Sequence, residues 1–132
     1  MATIRKFEDI EVWQLSRKYA SEIYKVTDNC EKFSKDYRLR DQIRASSGSI
    51  MDNIAEGYER DGNKELIQYL YIAKGSCGES RSQLYRALDI NYIDEKIFEY
   101  FRNQAEKISQ SISNFIQYLK NSELKGVKYK KE

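Results

Sequence analysis

Two carboxylates, Glu56 and Glu79, are the residues of this 132-residue chain whose types could support catalysis. A buried pair of glutamates can perform acid–base chemistry if its two pKa values are split. However, Gln42, Ser49 and Asn53 share one flank of a predicted helix with Glu56. Such side chains also satisfy hydrogen bonds between helices or subunits. We therefore interpret Gln42, Ser49, Asn53, Glu56 and Glu79 as a structural polar seam, and we expect an active site only if both carboxylates line an accessible pocket.

Residues for other catalytic chemistry are scarce in this sequence. It contains no histidine, which is the commonest general base and a frequent zinc ligand. The segment GYERDGNK approaches a phosphate-binding loop, but Asn63 stands where the lysine is needed. Cys77 lies on an apolar helical stripe and is interpreted as a small buried hydrophobe. We therefore predict a non-enzymatic protein without a metal or cofactor. Two isolated thiols, Cys30 and Cys77, are typical of a reducing cytoplasm.

Basic residues form the second group of interest, because arginine and lysine bind phosphate. The net charge of +2 arises in residues 121–132, where four lysines accompany two glutamates, so the other 120 residues sum to zero. Binding to nucleic acid must therefore depend on local patches. An alternative stays open, in which interspersed acidic residues such as Asp41 pair with these cations inside the chain. The predicted nucleic-acid contacts are Arg40, Arg44, Arg60, Lys64, Lys74, Arg81, Lys125, Lys128, Lys130 and Lys131.

Helical periodicity defines the first two elements that must position these residues. The first helix is predicted to begin at an N-cap, Asp9, and to end near residues 27–30, followed by a loop, TDNCEKFSKD. The second is predicted over Asp36–Gly57, with Gly57 as its stop. The polar Ser46 interrupts its apolar stripe, which consists of Leu39, Ile43, Ile50 and Ile54.

Two longer helices are predicted in the second half of the chain. The third covers Lys64–Ile90 after a cap at Asp61 or Asn63, and Asn91 stands where a left-handed residue ends a helix. The fourth begins at a cap, Asp94. Its stripe follows a heptad, which is typical of helices packed at about 20°: Phe98, Phe101, Ala105, Ile108, Ile112, Phe115 and Leu119.

Four long amphipathic helices with short connections predict an all-α protein. The chain has no proline and only six glycines, which disfavours a turn-rich β fold. We expect an antiparallel up-down-up-down four-helix bundle over residues 1–120 and a basic, flexible tail over residues 121–132. A charged N-terminus and the lack of a long apolar run predict neither a signal peptide nor a membrane span.

The third predicted helix has a wider apolar arc than one bundle core needs. On a helical wheel, Ile67, Tyr71 and Tyr85 fall on one flank of the core stripe, Tyr69 on the other, and Ile72 further round. One interpretation is that amphipathic tyrosines cover the edges of the bundle. The other is a subunit interface, because wide apolar surfaces and tyrosines are enriched at interfaces. We predict a homo-oligomer that assembles through these five residues.

Three segments also resemble a known family: FEDIEVWQLSRKYASEIYKVT, LRDQIRASSGSIMDNIAEGYER and KELIQYLYIAKGSCGESRSQL. The most specific parts are SIMDNIAEG at residues 49–57 and IAKGSCGE at residues 72–79. They resemble the bacterial four helix bundle protein family, also called 23S rRNA-intervening-sequence proteins. The resemblance implies a homopentameric ring. The family is also similar to the accessory variability protein of diversity-generating retroelements, a basic pentameric barrel that binds nucleic acid and a reverse transcriptase.

These observations lead to two functional expectations. The first is a homo-oligomer, a pentamer by resemblance, that binds RNA, DNA or a nucleic-acid enzyme such as a reverse transcriptase through symmetric basic patches. The second is a protein-binding scaffold or assembly module without a nucleic-acid role. The association with nucleic acid depends on analogy of fold and assembly, since the family name brings no established activity.

Overall fold

A computed structural model describes residues 3–124, and this part of the chain is all-helical. A short 3-10 turn, Phe7–Asp9, precedes the first helix. The five helices are α1 (Glu11–Asn29), α2 (Glu31–Lys35), α3 (Tyr37–Glu59), α4 (Asn63–Asp89) and α5 (Glu95–Leu124). The four predicted helices correspond to α1, α3, α4 and α5. The all-α class predicted from the periodicity is therefore confirmed.

Contacts between the long helices show that α3 and α4 run antiparallel, and that α4 and α5 do so too. From α3 to α4, contacting residue numbers rise on one helix as they fall on the other, and the same holds from α4 to α5. α1 lies beside α3 and α5, and the broadest contact joins α3 to α4. The pairs that set these directions are Ser46–Gln83 and Glu56–Tyr69 for α3 and α4, and Tyr85–Phe98 and Tyr71–Lys120 for α4 and α5.

The core consists of the apolar stripes that the periodicity predicts. The seven heptad positions of α5, from Phe98 to Leu119, are all buried. Ile43, Ile50 and Ile54 of α3 are fully buried, and α4 contributes residues such as Leu66 and Leu70. Burial of each such side chain stabilises the fold by about 1.5–3 kcal/mol. These stripes hold the four long helices together.

The start of α1 differs from the prediction that Asp9 is its N-cap. The Asp9 carboxylate accepts the backbone N–H groups of Arg5 at 3.0 Å and Lys6 at 3.2 Å, so it closes the 3-10 turn. The N-cap of α1 is Ile10, which has no side-chain acceptor and is 2% exposed. Burial of Ile10 thus determines where α1 begins, and the cap prediction was wrong.

The predicted loop TDNCEKFSKD is mostly helical. α1 continues to Asn29, and α2 occupies Glu31–Lys35. Phe33 explains the second helical turn, because its side chain is fully buried and its ring lies 5.5 Å from the ring of Tyr92. A single apolar residue in a polar segment therefore recruits that segment to the core.

Gly57 does not end α3, which continues to Glu59. A Cβ built on Gly57 would lie 2.5 Å from the Cβ of Tyr69, so the glycine permits close approach of α3 and α4. The connection between these helices uses Asp61, whose φ is 66°. The N-cap of α4 is Gly62, without a side-chain hydrogen bond. The predictions of Gly57 as a stop and of Asp61 or Asn63 as the cap were therefore wrong.

Three other helix termini agree with the sequence. Asp36 accepts the backbone N–H of Leu39 at 3.1 Å at the start of α3. Asn91 has φ of 60° immediately after α4, as predicted for a left-handed terminator. Asp94 accepts the backbone N–H of Ile97 at 2.8 Å at the start of α5. Short polar side chains thus cap these ends locally, as N-caps and left-handed termini do elsewhere.

The boundary of the predicted tail also moves, because α5 includes residues 121–124. The lysines predicted to contact nucleic acid from the tail, Lys125, Lys128, Lys130 and Lys131, lie outside the described residues. Within residues 3–124, no helix has the length and apolar character required to cross a membrane.

Candidate nucleic-acid and subunit interfaces

The polar flank of α3 forms hydrogen bonds inside the chain. The Oγ atoms of Ser49 and Ser76 are 3.0 Å apart, which joins α3 to α4. Asn53 donates from Nδ2 to the carbonyl and Oγ of Ser49, at 2.8 and 2.9 Å. Nearer the start of α3, Gln42 accepts a hydrogen bond from Arg86 of α4 at 3.2 Å. Ser49 and Gln42 therefore join α3 to α4, and Asn53 holds Ser49 from within α3.

The two candidate catalytic carboxylates do not meet in one chain. Glu56 accepts hydrogen bonds from Tyr69 Oη at 3.1 Å and from Arg60 at 2.9 Å. Glu79 is exposed and lies ten residues beyond Tyr69 on α4, or about 15 Å along the helix. The hydrogen bonds from Arg60 and Tyr69 lower the pKa of Glu56, which keeps it ionised at neutral pH. This geometry brings no split-pKa carboxylate pair together.

Buried polar side chains of α1, α3 and α4 contact one another in the core. Ser46 Oγ donates to Gln83 Oε1 at 2.6 Å, and both residues are at most 5% exposed. On the diagonal, the hydroxyls of Tyr19 in α1 and Ser80 in α4 are 2.8 Å apart. The sequence signalled these contacts only through the serines on the apolar stripes. The hydrogen bonds of Tyr19 and Gln83 were not predicted, because the pattern of one helix does not reveal a partner on another helix.

Two of the predicted nucleic-acid contacts are engaged inside the chain. The Arg44 side chain is 16% exposed, donates from Nε to Thr27 Oγ1 at 2.8 Å, and stacks 3.7 Å above the ring of Tyr24. It joins α3 to the last turns of α1. Arg40 pairs with Asp41 at 3.0 Å and donates to the carbonyl of Ser34 at 3.2 Å. Both arginines therefore have partners inside the chain, which favours the alternative interpretation that these cations have a structural role.

The other described basic residues are more accessible. Arg60 is 53% exposed while it pairs with Glu56, and Arg81 lies 3.9 Å from Glu106. Lys64 is exposed and Lys74 is partly exposed. No ion pair engages either lysine within the described residues. Arg60 directly follows α3, and the other three residues lie at different positions along α4, so a single chain offers a dispersed basic surface at these sites.

The residues predicted for the subunit interface divide between two environments. Ile67 and Tyr69 are partly buried, and Tyr69 contacts α3 through Glu56. Tyr71 and Tyr85 are half-exposed and lie at the border with α5. The Lys120 Nζ donates to Tyr71 Oη at 2.7 Å, and Tyr85 packs edge-to-face on Phe98. Ile72, at 51% exposed, is the apolar residue that projects outward without such a partner among the described residues.

Two glycines follow Ile72 at three-residue spacing on the exposed side of α4. A Cβ added to Gly75 or Gly78 would meet no atom within 4 Å. Glycine inside a helix is less favourable than alanine by about 0.8–1 kcal/mol. The fold of one chain therefore gives no reason for either glycine. We call the surface formed by Ile72, Gly75 and Gly78 the α4 outer face.

The described chain contains little that could hold a metal. Among residues 3–124, no three histidine, cysteine, aspartate or glutamate side chains cluster closely enough to bind an ion. Both cysteines, Cys30 and Cys77, are free thiols.

These features define an all-helical protein whose distinctive surfaces are exposed cations and one small-residue apolar face. A model of the 23S rRNA-intervening sequence protein family matches residues 8–114, and the chain belongs to this family. Among solved structures it is similar to a protein of unknown function of the S23 ribosomal protein family from Bacteroides thetaiotaomicron VPI-5482. The two chains are 26% identical with a TM-score of 0.72, over 80% of this chain and 97% of the other. No curated protein matches the chain.

Proposed function

We propose that this protein is a non-enzymatic, homo-oligomeric four-helix bundle that binds nucleic acid or a nucleic-acid enzyme such as a reverse transcriptase. The assembly is a pentamer, by resemblance to the ring-forming relatives of the family. Each subunit contributes a modest basic surface, and symmetry repeats that surface around the ring. Repetition matters because each phosphate that is neutralised releases counterions, so weak patches add to useful affinity.

The proposal of a homo-oligomer is supported mainly by the α4 outer face. It combines a half-exposed isoleucine with two helix glycines whose Cβ positions are open. Small residues let a second helix approach closely, and a second subunit would bury the exposed apolar area. The half-exposed rings of Tyr71 and Tyr85 border this face and would extend the contact.

Light scattering after size exclusion tests the assembly. We expect a mass of five times 15.7 kDa at micromolar concentration. Ile72→Glu should reduce this mass, because a carboxylate would be buried in the contact. The control is Asn103→Glu, which introduces the same charge at an exposed position of α5. A wild-type mass near 15.7 kDa would refute the oligomer.

The nucleic-acid role is supported by the cations that remain accessible and by the analogy of fold and assembly with the nucleic-acid-binding relative of the family. Fluorescence anisotropy with labelled RNA and DNA tests it. We expect binding at about 50 mM salt that weakens steeply towards about 200 mM, as counterion release requires. If neither nucleic acid binds at the lower salt concentration, this role is wrong.

The alternative function is a protein-binding scaffold, which the exposed tyrosines favour because interfaces are enriched in them. Affinity purification from native cells distinguishes the two. Recovery of one stoichiometric protein partner, unaffected by nuclease treatment, would favour the scaffold. Recovery of nuclease-sensitive material would favour the nucleic-acid role.

A further inference from the structure

The outward surface of α1 carries cations that none of the preceding predictions includes. Arg17, Lys18 and Lys25 are exposed and recur at helical spacing around Ser21. Within the described part of the chain, none of the three has a carboxylate oxygen within 4.0 Å. They differ in this respect from Arg40, which pairs with a neighbouring carboxylate.

Arg17 and Lys25 also line a groove between α1 and α3. The groove is largely open to solvent, and its volume is about 550 Å³. The lining contains three cations and no carboxylate: Arg17, Ala20, Ser21, Tyr24, Lys25, Arg44, Gly48 and Met51. Ala20 and Met51 supply apolar surface between the charges. The groove therefore offers phosphate-binding groups beside a surface on which a flat ring can rest.

Tyr24 is the aromatic residue of this groove. Its side chain is 56% exposed, although a tyrosine ring usually gains by burial. The Arg44 guanidinium covers one face of the ring at 3.7 Å and is itself held by Thr27 and the carbonyl of Tyr24. The exposed area consequently belongs to the other face and the edge. A ring fixed from beneath and open above is a stacking platform for an unpaired base.

Acidic residues limit the groove rather than line it. Glu22 lies on the α5 side of α1, where it borders Arg17, Ser21 and Lys25 and accepts hydrogen bonds from Tyr100 Oη at 2.7 and 2.9 Å. Asp28 lies beyond the platform, 4.0 Å from Arg44. From Arg17 to Lys25 the cationic surface extends over eight residues, or about 12 Å. This length suits a short single-stranded segment.

We propose that the α1–α3 groove binds single-stranded nucleic acid, with Arg17 and Lys25 on phosphates and one unpaired base stacked on Tyr24. The site uses electrostatic attraction and stacking, so it is tolerant of sequence. This inference depends on the proposed nucleic-acid role and assigns that role to residues of α1. Arg44 acts from beneath as a positioning residue for the platform.

Equilibrium binding to a labelled single strand of about 20 nucleotides tests the site in the full-length chain. Arg17→Ala combined with Lys25→Ala should weaken binding by about tenfold or more at low salt. It should also lower the slope of log affinity against log salt by about 1.4, or 0.7 for each lost contact. The charge-matched control is Lys32→Ala with Lys107→Ala, two exposed cations outside the groove, and it should bind like the wild type.

Photocrosslinking tests the stacking directly. An oligonucleotide with 5-iodouridine should crosslink to Tyr24, as mapped by mass spectrometry. Tyr24→Ala should weaken binding between about fivefold and a hundredfold, whereas Tyr24→Phe should retain the wild-type affinity. Circular dichroism of every variant should match the wild type, because these side chains are exposed.

The contrary outcomes separate this inference from the proposed function. If the wild type binds and the Arg17/Lys25 variant binds equally well, the groove is wrong and the nucleic-acid role stands. If the wild type binds no nucleic acid at about 50 mM salt, both fail. Binding to vesicles of anionic phospholipid in preference to the oligonucleotide would also overturn the proposal, since it would make the groove a membrane contact.

Discussion

Replacement of Gly57 by alanine should destabilise the contact between α3 and α4. The added Cβ would lie 2.5 Å from the Cβ of Tyr69 and 3.2 Å from Cδ1 of Leu66. Carbon atoms prefer separations of about 3.5–4.0 Å, so the two helices would have to separate by about 1 Å. The Cβ of Tyr69 is attached directly to the backbone and cannot rotate away. Relief therefore requires movement of a whole helix.

Two opposing effects determine the size of the change. Overpacking of a tight contact costs about 1–3 kcal/mol. Alanine is more favourable than glycine within a helix by about 0.8–1 kcal/mol, which offsets part of that cost. The net loss for Gly57→Ala is therefore between about 0 and 2 kcal/mol. A matched variant removes the propensity contribution from the comparison.

Gly48→Ala provides that match, because Gly48 lies on the same helix and its added Cβ meets nothing within 4 Å. It should stabilise the protein by about 0.8–1 kcal/mol. Urea unfolding followed by circular dichroism measures both variants, at one protein concentration because assembly links stability to concentration. The two free energies of unfolding should differ by about 1–3 kcal/mol. Equal values would refute the close-approach explanation of Gly57.

Two further predictions concern hydrogen bonds. Ser80→Ala should lower the free energy of unfolding by about 1–3 kcal/mol, because it leaves the buried Tyr19 hydroxyl without its partner at 2.8 Å. Tyr19→Phe should cost less, since Ser80 keeps its bond to the Cys77 carbonyl. Urea unfolding measures both variants, and the reverse order would contradict this explanation. The second prediction concerns Asp36, whose pKa is lowered by hydrogen bonds from the Leu39 N–H and the Tyr92 hydroxyl. Its ionised form therefore stabilises the fold above about pH 4, and this stability is lost as the pH falls through the lowered pKa. Asp36→Asn should therefore lower Tm at pH 7, and this loss should shrink progressively as the pH falls below about 4. A loss of Tm that does not change with pH would exclude this linkage.

The sequence predicts those features that depend on periodicity or on a local side chain. The unbroken heptad of α5 sets its buried face, because only one register places all seven apolar residues inside. Asp36 and Asp94 are caps because their carboxylates reach a backbone N–H three residues on. Asn91 ends α4 since it tolerates positive φ. These properties require no knowledge of distant neighbours.

Tertiary contacts account for the errors. Asp9 has the right type for an N-cap, but two backbone N–H groups before it compete for the carboxylate. Phe33 looks isolated in a polar segment until the chain places Tyr92 beside it. Gly57 resembles a terminator, and only the position of Tyr69 reveals it as a spacer. In each case the deciding atom comes from outside the residue's own helix.

The candidate site residues also divide into those that the sequence reveals and those that depend on tertiary contacts. Residue type identified Arg44 as a phosphate ligand, yet Thr27 and the carbonyl of Tyr24 engage two of its nitrogens, and the Tyr24 ring covers one face of its guanidinium. Conversely, Arg17 and Lys25 were not among the predicted nucleic-acid contacts, because their availability depends on which carboxylates lie nearby after folding. A charge count along the chain cannot distinguish a paired cation from an accessible one.

The thiol of Cys77 has a consequence for how often the helices part. It donates to the carbonyl of Ala105 at 3.1 Å across the α4–α5 contact, and burial raises its pKa to about 11. Alkylating reagents attack the thiolate, so this thiol is silent until the two helices open. Cys30, which is only partly buried, supplies an internal reference for reagent access. The rate at which Cys77 of the native chain is alkylated therefore reports how often its core opens.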